Sequence, residues 1–527
     1  MGGVELILIL LFVSVAGLNA LAHWLSVPYP ILLVLGGLAL GFVPGVPEVH
    51  LDPDLVLILF LPPLLYSAAF FTDLRSLRDN VRPLSLTAIG LVLLTMVIVA
   101  VIAHEMIGMT WAVAFALGAI VSPTDPVAAT AIMRRVGAPR RIVNMVEGES
   151  LFNDASALVA YRVAVAAAVG GSFSLLDASL EFVGAAAGGV AIGLVVGYVV
   201  AAIRRRLEDP TTEITISLFT GYAAYLPASE LGLSGVLAAV TAGIYLGWRA
   251  SELISPTTRL QAYGTWEVLG FLVNAVLFML IGLQLPMIVD GLAGRPWQEP
   301  VGYAALVAAA VIGARFLWVF TVPYVIRAID RRPQQRLRRT TAQSRVVVAW
   351  SGMRGAVSLA AALALPLETD AGTPLPDRSL VLFIAFAVIL VTVVVQGLTL
   401  PALIRRLGVG GDDDDEGTEE LRARLSIAKA AIDSLDQLEE EDWTRDETIE
   451  RVRALYEFRK RRFAAQAGKI EDEGIEDRSL TYQRMMHVVF GAQRQALVGL
   501  RNQGEISSEV MRRIERELDL EESRLEV

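Results

Sequence analysis

Residues 148–171, GESLFNDASALVAYRVAVAAAVGG, set Glu149, Ser150, Asn153, Asp154 and Arg162 inside a run that is otherwise small and apolar. Ser150 and Asp154 are four residues apart and share one helical face, while Glu149 and Asn153 share the adjacent face. Two polar faces side by side make a wet wall that faces protein rather than lipid. Carboxylate and hydroxyl oxygens at this spacing suit a hard cation, and a buried carboxylate also takes up a proton readily. An ionisable group at bilayer depth is costly, so its presence argues for a function or a buried partner.

The preceding apolar stretch carries GAIVSPTDPVAAT, residues 118–130. Pro123 and Pro126 cannot both sit in an unbroken helix, because each removes a backbone donor and clashes with the preceding turn. The chain is expected to unwind around Thr124–Asp125 and free carbonyls there. At bilayer depth such backbone is tolerated only where it lines a cavity or is buried in protein. A counterpart is VVAWSGMRGAVSLA, residues 347–360, where Gly352 and Gly355 bracket Met353 and Arg354. Helix ends at a crossing of two such breaks carry partial charges. Asp125 can compensate converging N-termini, and Arg354 converging C-termini. Asp125 keeps two open readings, a structural charge or a direct ligand.

The other charges sort by partner. Glu149 reads as a salt-bridged residue, with Arg315 in VIGARFLWVF as its partner. No single arginine serves every nearby carboxylate, so Asp154 reads as functional. Arg162 reads as a side chain snorkelling outward. Ser67, in LPPLLYSAAF, reads as packing.

The elements that must hold these residues are greasy. Of 527 residues, 54% are hydrophobic, and the mean hydropathy is +0.55. Apolar stretches of roughly 18 residues or more read as membrane spans, and they recur to about residue 405. The fold class is an all-α polytopic membrane protein. Thirteen spans are read at approximately 4–24, 28–46, 53–71, 83–103, 110–133, 142–169, 180–203, 212–229, 232–248, 262–287, 300–326, 345–366 and 379–404. The first lacks a basic segment before it and reads as a retained span, not a cleaved signal peptide. With no cysteine, disulfides and thiol chemistry are excluded. None of the four histidines, His23, His50, His104 and His487, has a ligand-like neighbour, which argues against a catalytic metal site.

Spans 1–6 and 8–13 form two six-helix repeats around one linking helix, so the second copy must be inverted. The breaks then fall in equivalent spans, the fifth and twelfth, and paired broken helices in inverted halves point to a transporter's midplane site. Residues 1–406 hold 26 Arg and no Lys. Arg295 and Arg378 lie in loops on one side, and 21 arginines, among them Arg75, Arg78, Arg82, Arg134, Arg135, Arg140, Arg141, Arg204–Arg206 and the cluster Arg331–Arg345, lie on the other. Cytoplasmic loops hold positive charge, so the N-terminus is read as outside and the C-terminus as inside. Arg162, Arg315 and Arg354 fall within spans.

Composition changes after Arg406. Residues 407–420, including GVGGDDDDEGTEE, read as a flexible acidic linker. Residues 421–527 read as a small cytosolic α-helical domain, with helical periodicity in EELRARLSIAKAAIDSLDQL, ETIERVRALYEFRKRRFAAQ and ISSEVMRRIERELDLEESRL. Gly474 and Gly504 fall at breaks between segments. A solvated or assembly role outweighs ion sensing for this tail.

Taken together, SPTDPVAAT, GESLFNDASALVAY and SGMRGAVSLA resemble the signature motifs of sodium/proton exchangers of the NhaP/NHE type, over roughly residues 5–406. The resemblance implies a thirteen-span fold of inverted repeats, a homodimer, and elevator-like movement of a core bundle against a dimerisation domain. By motif position it implies that Asp154 takes either cation or proton. Thr124, Asp125 and Ser150 then lie at or beside the cation, and Asn153 is the neutral partner of the Asn-Asp pair. It also implies that Glu149 and Arg315 form a structural ion pair and that Arg354 sits at the crossing. Many relatives carry an acidic residue where this chain has Ser67, so the resemblance extends no ion-path role to the third span.

One carboxylate discharged by Na⁺ or by a proton, never by both, couples two gradients without any cofactor. Asp154, Ser150, a freed carbonyl near Thr124, Asp125 and water can supply about six oxygens to the transported Na⁺, by analogy with other hard cations. Asn153 leaves one exchangeable carboxylate, which gives electroneutral exchange. The expected partners are Na⁺ or Li⁺, with K⁺ as the alternative, together with H⁺, the lipid bilayer of the cell membrane and a second copy, and no nucleic acid. Two readings compete from other classes. An intramembrane aspartyl protease using Asp125 and Asp154 is disfavoured because neither lies in a Tyr-Asp or Gly-x-Gly-Asp context. A channel or sensor of the same fold would show diffusive conductance or no flux.

Overall fold

The computed structural model describes residues 3–25, 27–44, 53–72, 74, 84–170, 175–207, 209–292, 294–329, 341–409, 413–471, 474–523 and 525. Among them there is no β-strand beyond one isolated bridge, Glu368 to Pro374. Helices satisfy their own backbone groups, which is what an apolar chain in a bilayer requires. His50, Arg75, Arg78, Arg82, residues 331–340 of the arginine cluster and residues 410–412 lie outside the described residues.

The chain divides into two compact units, Met1–Gly411 and Asp412–Val527. The first begins with α1 (Gly3–Leu25), α2 (Tyr29–Gly41), α3 (Pro53–Phe70) and α4 (Leu86–Ile107). The first break separates α5 (Trp111–Val121) from α6 (Pro126–Arg135), and α7 (Arg140–Gly170) follows. Next come α8 (Leu175–Arg204), α9 (Pro210–Glu230), α10 (Gly235–Trp248), α11 (Pro256–Leu283) and α12 (Gln298–Ile329). The second break separates α13 (Ala342–Trp350) from α14 (Ala356–Leu363), and α15 (Arg378–Leu407) ends the unit. Among the described residues, seven helices are long and apolar enough to cross a membrane, counting α5 and α6 together.

Helix starts follow capping chemistry rather than hydropathy, so several precede the apolar windows. Ser255 caps α11 by accepting from the Thr258 amide at 3.1 Å, and Pro256 takes the first helical position. Asp209 caps α9 by accepting from the Thr212 amide (2.7 Å) and hydroxyl (2.6 Å), bonds that hold its carboxyl below the usual carboxylate range. Pro227, near the end of α9, does not stop that helix before Glu230.

Small residues let helices touch backbone to backbone, the packing that works in lipid. A methyl group on Gly37 of α2 would collide with the Met279 carbonyl of α11. The glycine-rich FVGAAAGGVAIGLVVGYVV segment lays Gly189 and Gly193 of α8 against Ser234 and Ala238 at the start of α10 in the same way.

The second unit is helical: α16 (Asp413–Leu438), α17 (Asp446–Gln466), α18 (Ile475–Asn502) and α19 (Ser508–Glu522). Arg453 of α17 bridges Asp436 of α16 and Glu439 just beyond it, and Arg494 of α18 bridges Asp519 (2.6 Å) and Glu522 (2.5 Å) of α19. Helix α16 begins at Asp413, so part of the acidic run read as a flexible linker is helical instead. The periodic segments also leave α18 unmarked, since the face it buries through Ile475, Phe490 and Leu497 also carries Ser479, Gln483 and Arg494.

Candidate functional site

The site forms where the two broken helices cross. Pro123 cannot continue α5, so the helix ends at Val121 and the chain runs extended through Asp125 before Pro126 opens α6. Gly352 and Gly355 give α13 and α14 the same kind of interruption. The breaks are joined by backbone: the Asp125 amide donates to the Met353 carbonyl at 2.8 Å.

Each crossing charge serves two helix ends. The Asp125 carboxylate accepts from the Val127 amide (2.8 Å) as the N-cap of α6, and from the Ala356 amide that opens α14. Arg354 donates through Nε to the Val121 carbonyl closing α5 (3.0 Å) and through a terminal nitrogen to the Gly352 carbonyl beyond α13. Each helix end carries roughly half a charge, so one carboxylate offsets two N-termini and one guanidinium offsets two C-termini. The Arg354 amide itself donates to Thr392 Oγ1 of α15 at 3.1 Å.

Helix α7 supplies the rest. Glu149 meets Arg315 of α12 as a bidentate pair, with both residues 1% exposed, and Arg315 Nε donates to the Val348 carbonyl (3.0 Å). Ser150 donates to the carbonyl of Thr124 (2.5 Å), and Asn153 Nδ2 donates to Thr124 Oγ1 (2.6 Å). Helix α7 is thus laced directly to the first break. The Asn153 Oδ1 is buried and has no hydrogen-bond partner among the described residues. Asp154, 7% exposed, makes no hydrogen bond or ion pair among the described residues. Of the buried carboxylates Glu149, Asp154 and Glu213, it alone is met by no donor.

Thr124, Asp125, Glu149, Ser150, Asn153, Arg315 and Arg354 are thereby brought into one connected polar core around the crossing, with Asp154 on the helix that carries it. Two residues stand apart. Ser67 Oγ donates to the Leu64 carbonyl of its own helix (3.1 Å), a packing role. Arg162 is exposed, and NH1 donates to the Leu233 carbonyl at 3.1 Å rather than pointing free of the protein. Sequence reasoning missed a second buried polar group in which Thr258 donates to Glu213 (3.2 Å), Arg204 donates to the Glu213 carbonyl (3.0 Å) and Trp266 donates to Ser217 (3.1 Å). Glu213 falls just inside an apolar segment, and that is the signal that could have found it.

Comparison with known proteins follows the same residues. The family model described as "Sodium/hydrogen exchanger, transmembrane" matches residues 8–406. An uncharacterized Na⁺/H⁺ exchanger of Mycobacterium tuberculosis is 37% identical over 99% of this chain and 96% of its own length. A Na⁺/H⁺ antiporter of Aphanothece halophytica is 35% identical over 81% of this chain and 80% of its own. A sodium, potassium, lithium and rubidium/H⁺ antiporter of Bacillus subtilis is 35% identical over 76% of this chain and 61% of its own. The solved structure of a sodium/proton antiporter from Methanocaldococcus jannaschii at pH 8 superposes with a TM-score of 0.59 at 20% identity, over 78% of this chain and all of that one. That likeness shows the fold.

Proposed function

On the premise that the chain belongs to the sodium/hydrogen exchanger family, a family of transporters rather than enzymes, we propose that it exchanges one Na⁺ or Li⁺ for one H⁺ through Asp154. The observation that carries this reading is the buried Asp154 carboxylate, without a partner among the described residues, on the helix laced to an unwound backbone segment. Every other charge in the core is spoken for: Glu149 by Arg315, Asp125 and Arg354 by helix ends.

A negative group held in a dry place can be discharged in two exclusive ways. Na⁺ takes about six oxygens, by analogy with other hard cations. The Asp154 carboxylate, Ser150 Oγ, the Thr124 carbonyl, the orphaned Asn153 Oδ1 and water supply them, while Asp125, committed to two helix ends, contributes its field. A proton on Asp154 removes the charge that attracts the metal. The empty, ionised site crosses poorly, because moving an unpaired charge through a low-dielectric barrier is expensive. Sodium-loaded and protonated forms cross, so the gradients are coupled, and Asn153 keeps the exchange electroneutral.

The architecture that fits this cycle has thirteen spans. Two inverted repeats, α1–α7 and α9–α15, flank the linking helix α8. The protein is a homodimer in the cell membrane, N-terminus outside and C-terminus inside, with a core bundle carrying Asp154 past a dimerisation domain. It needs no cofactor and serves pH homeostasis and sodium transport. Broader selectivity that includes K⁺ is the second reading, favoured by the Bacillus subtilis relative, a sodium, potassium, lithium and rubidium/H⁺ antiporter.

The test is cation-dependent proton flux in reconstituted vesicles with Na⁺, Li⁺ and K⁺, comparing the native chain with Asp154→Asn and Asp154→Ala. Both variants should fall to the level of protein-free vesicles. Native-rate exchange by Asp154→Asn would overturn the reading.

A further inference from the structure

Arg162 of the site helix α7 is a charged residue within a span that the exchange reading leaves without a role. It lies eight residues beyond Asp154 on α7, about 12 Å along the axis. Leu158 and Tyr161, four and seven residues beyond Asp154, share the Asp154 face. Together with Arg162 they line a small cavity of about 60 Å³, whose other walls include Leu57 of α3, Tyr225 of α9 and Ser234 before α10. Asp154 is not part of the lining. Leu158 is the lining residue of α7 nearest Asp154 along the chain, one helical turn away, so this vestibule lies beside the site helix without reaching the carboxylate.

At the rim, Arg162 NH1 donates to the Leu233 carbonyl (3.1 Å). Leu233 belongs to the α9–α10 turn, which is fastened independently. The Leu233 amide donates to the Ala228 carbonyl (2.8 Å), and the Ser234 amide donates to the Ala185 carbonyl of α8 (3.0 Å). Gly232 takes a left-handed φ of +72° that a side chain would strain. Arg162 thus ties the Asp154 helix to a rigid turn across the mouth of the vestibule. A lone exposed hydrogen bond of this kind is often ornamental. Two features speak against ornament: its place on the face leading to Asp154, and a guanidinium that stays positive at any working pH. A cation travelling along the vestibule meets that fixed charge.

We propose that Arg162 is the outer latch of the exchange cycle. Bonded to Leu233, it holds α7 against the α9–α10 turn and keeps the vestibule closed at Leu158. Released, it swings into solvent, α7 moves relative to the turn, and the vestibule reaches Asp154. The latch rests on the exchange reading and on the orientation given above. Removing a charged hydrogen bond that exists in only one of two states shifts their ratio by about threefold to tenfold.

The chain has no cysteine, so Leu158→Cys places a single thiol at the vestibule floor of the full-length protein. A membrane-impermeant maleimide applied from outside should label it about threefold to tenfold faster when Arg162→Gln is added, and Arg162→Lys should fall between. In vesicles of known sidedness, Arg162→Gln should lower the outer cation concentration giving half-maximal exchange and raise the inner one. A merely structural arginine would lower the maximal rate and leave both concentrations alone. Unchanged labelling, or labelling from the inner face only, overturns the latch. Labelling needs no transport, so a native chain that exchanges nothing yet labels in an Arg162-dependent way would sink the exchange reading and leave Arg162 only as a tie that controls access to the vestibule.

Discussion

The carboxylate of Asp125 lies so close over Gly355 that a methyl group on that glycine would overlap Asp125 Oδ2. The contact seats one negative charge between the N-termini of α6 and α14, and no larger residue fits between them. Gly355→Ala should therefore push the carboxylate off both helix ends. The expected outcome is loss of exchange and a lower melting temperature in detergent, from overpacking of about 1–3 kcal/mol. Native flux and native melting in Gly355→Ala would show that the crossing tolerates displacement.

Glu149 and Arg315 are a buried pair, and breaking one partner leaves an uncompensated charge. Glu149→Gln alone should destabilise by about 3–5 kcal/mol, whereas Glu149→Leu with Arg315→Met should recover much of it. Thermal melting of the purified chain distinguishes them. A single substitution costing under about 1 kcal/mol would mean that the pair is solvated in the working protein.

Asn153 donates its amide to Thr124, so Asn153→Asp gives that hydroxyl a carboxylate to donate to and adds a second titratable group beside Asp154. Exchange by this variant should become voltage-dependent in vesicles clamped with a potassium diffusion potential, while the native chain stays insensitive. A voltage-sensitive native chain would contradict one-for-one exchange.

Residue types alone announced the crossing, because proline and glycine act on the backbone locally and a buried charge demands a partner wherever it sits. Pro123, Pro126, Gly352 and Gly355 are local instructions of that kind. Arg162 was not legible. A hydrogen bond to the carbonyl of Leu233, 71 residues away, depends on which turn stands beside α7, and no spacing in the sequence encodes that. The Glu213 group escaped for the same reason, since its partner Thr258 is 45 residues distant. In the tail, the composition of the acidic run read as a flexible linker did not show that α16 starts within it, at Asp413.

Helix α19 is held to α18 by charge, and that gives its docking a pH limit. Arg494, then His487, hold the Glu522 carboxyl below its ordinary range. A carboxyl depressed in the folded state stabilises fully above its unfolded value of about 4.3, and the contribution is lost as pH falls through the lower folded value. Protection of the amides in residues 508–522, measured by hydrogen exchange in the full chain and corrected for intrinsic rate, should stay level from about pH 7 to pH 5 and drop by about pH 3. Arg494→Gln should reduce protection at neutral pH and flatten the acid drop. Because the pair is exposed to solvent, molar salt should weaken it at every pH. If instead protection is already lost between pH 7 and pH 5, a group other than Glu522 governs the contact.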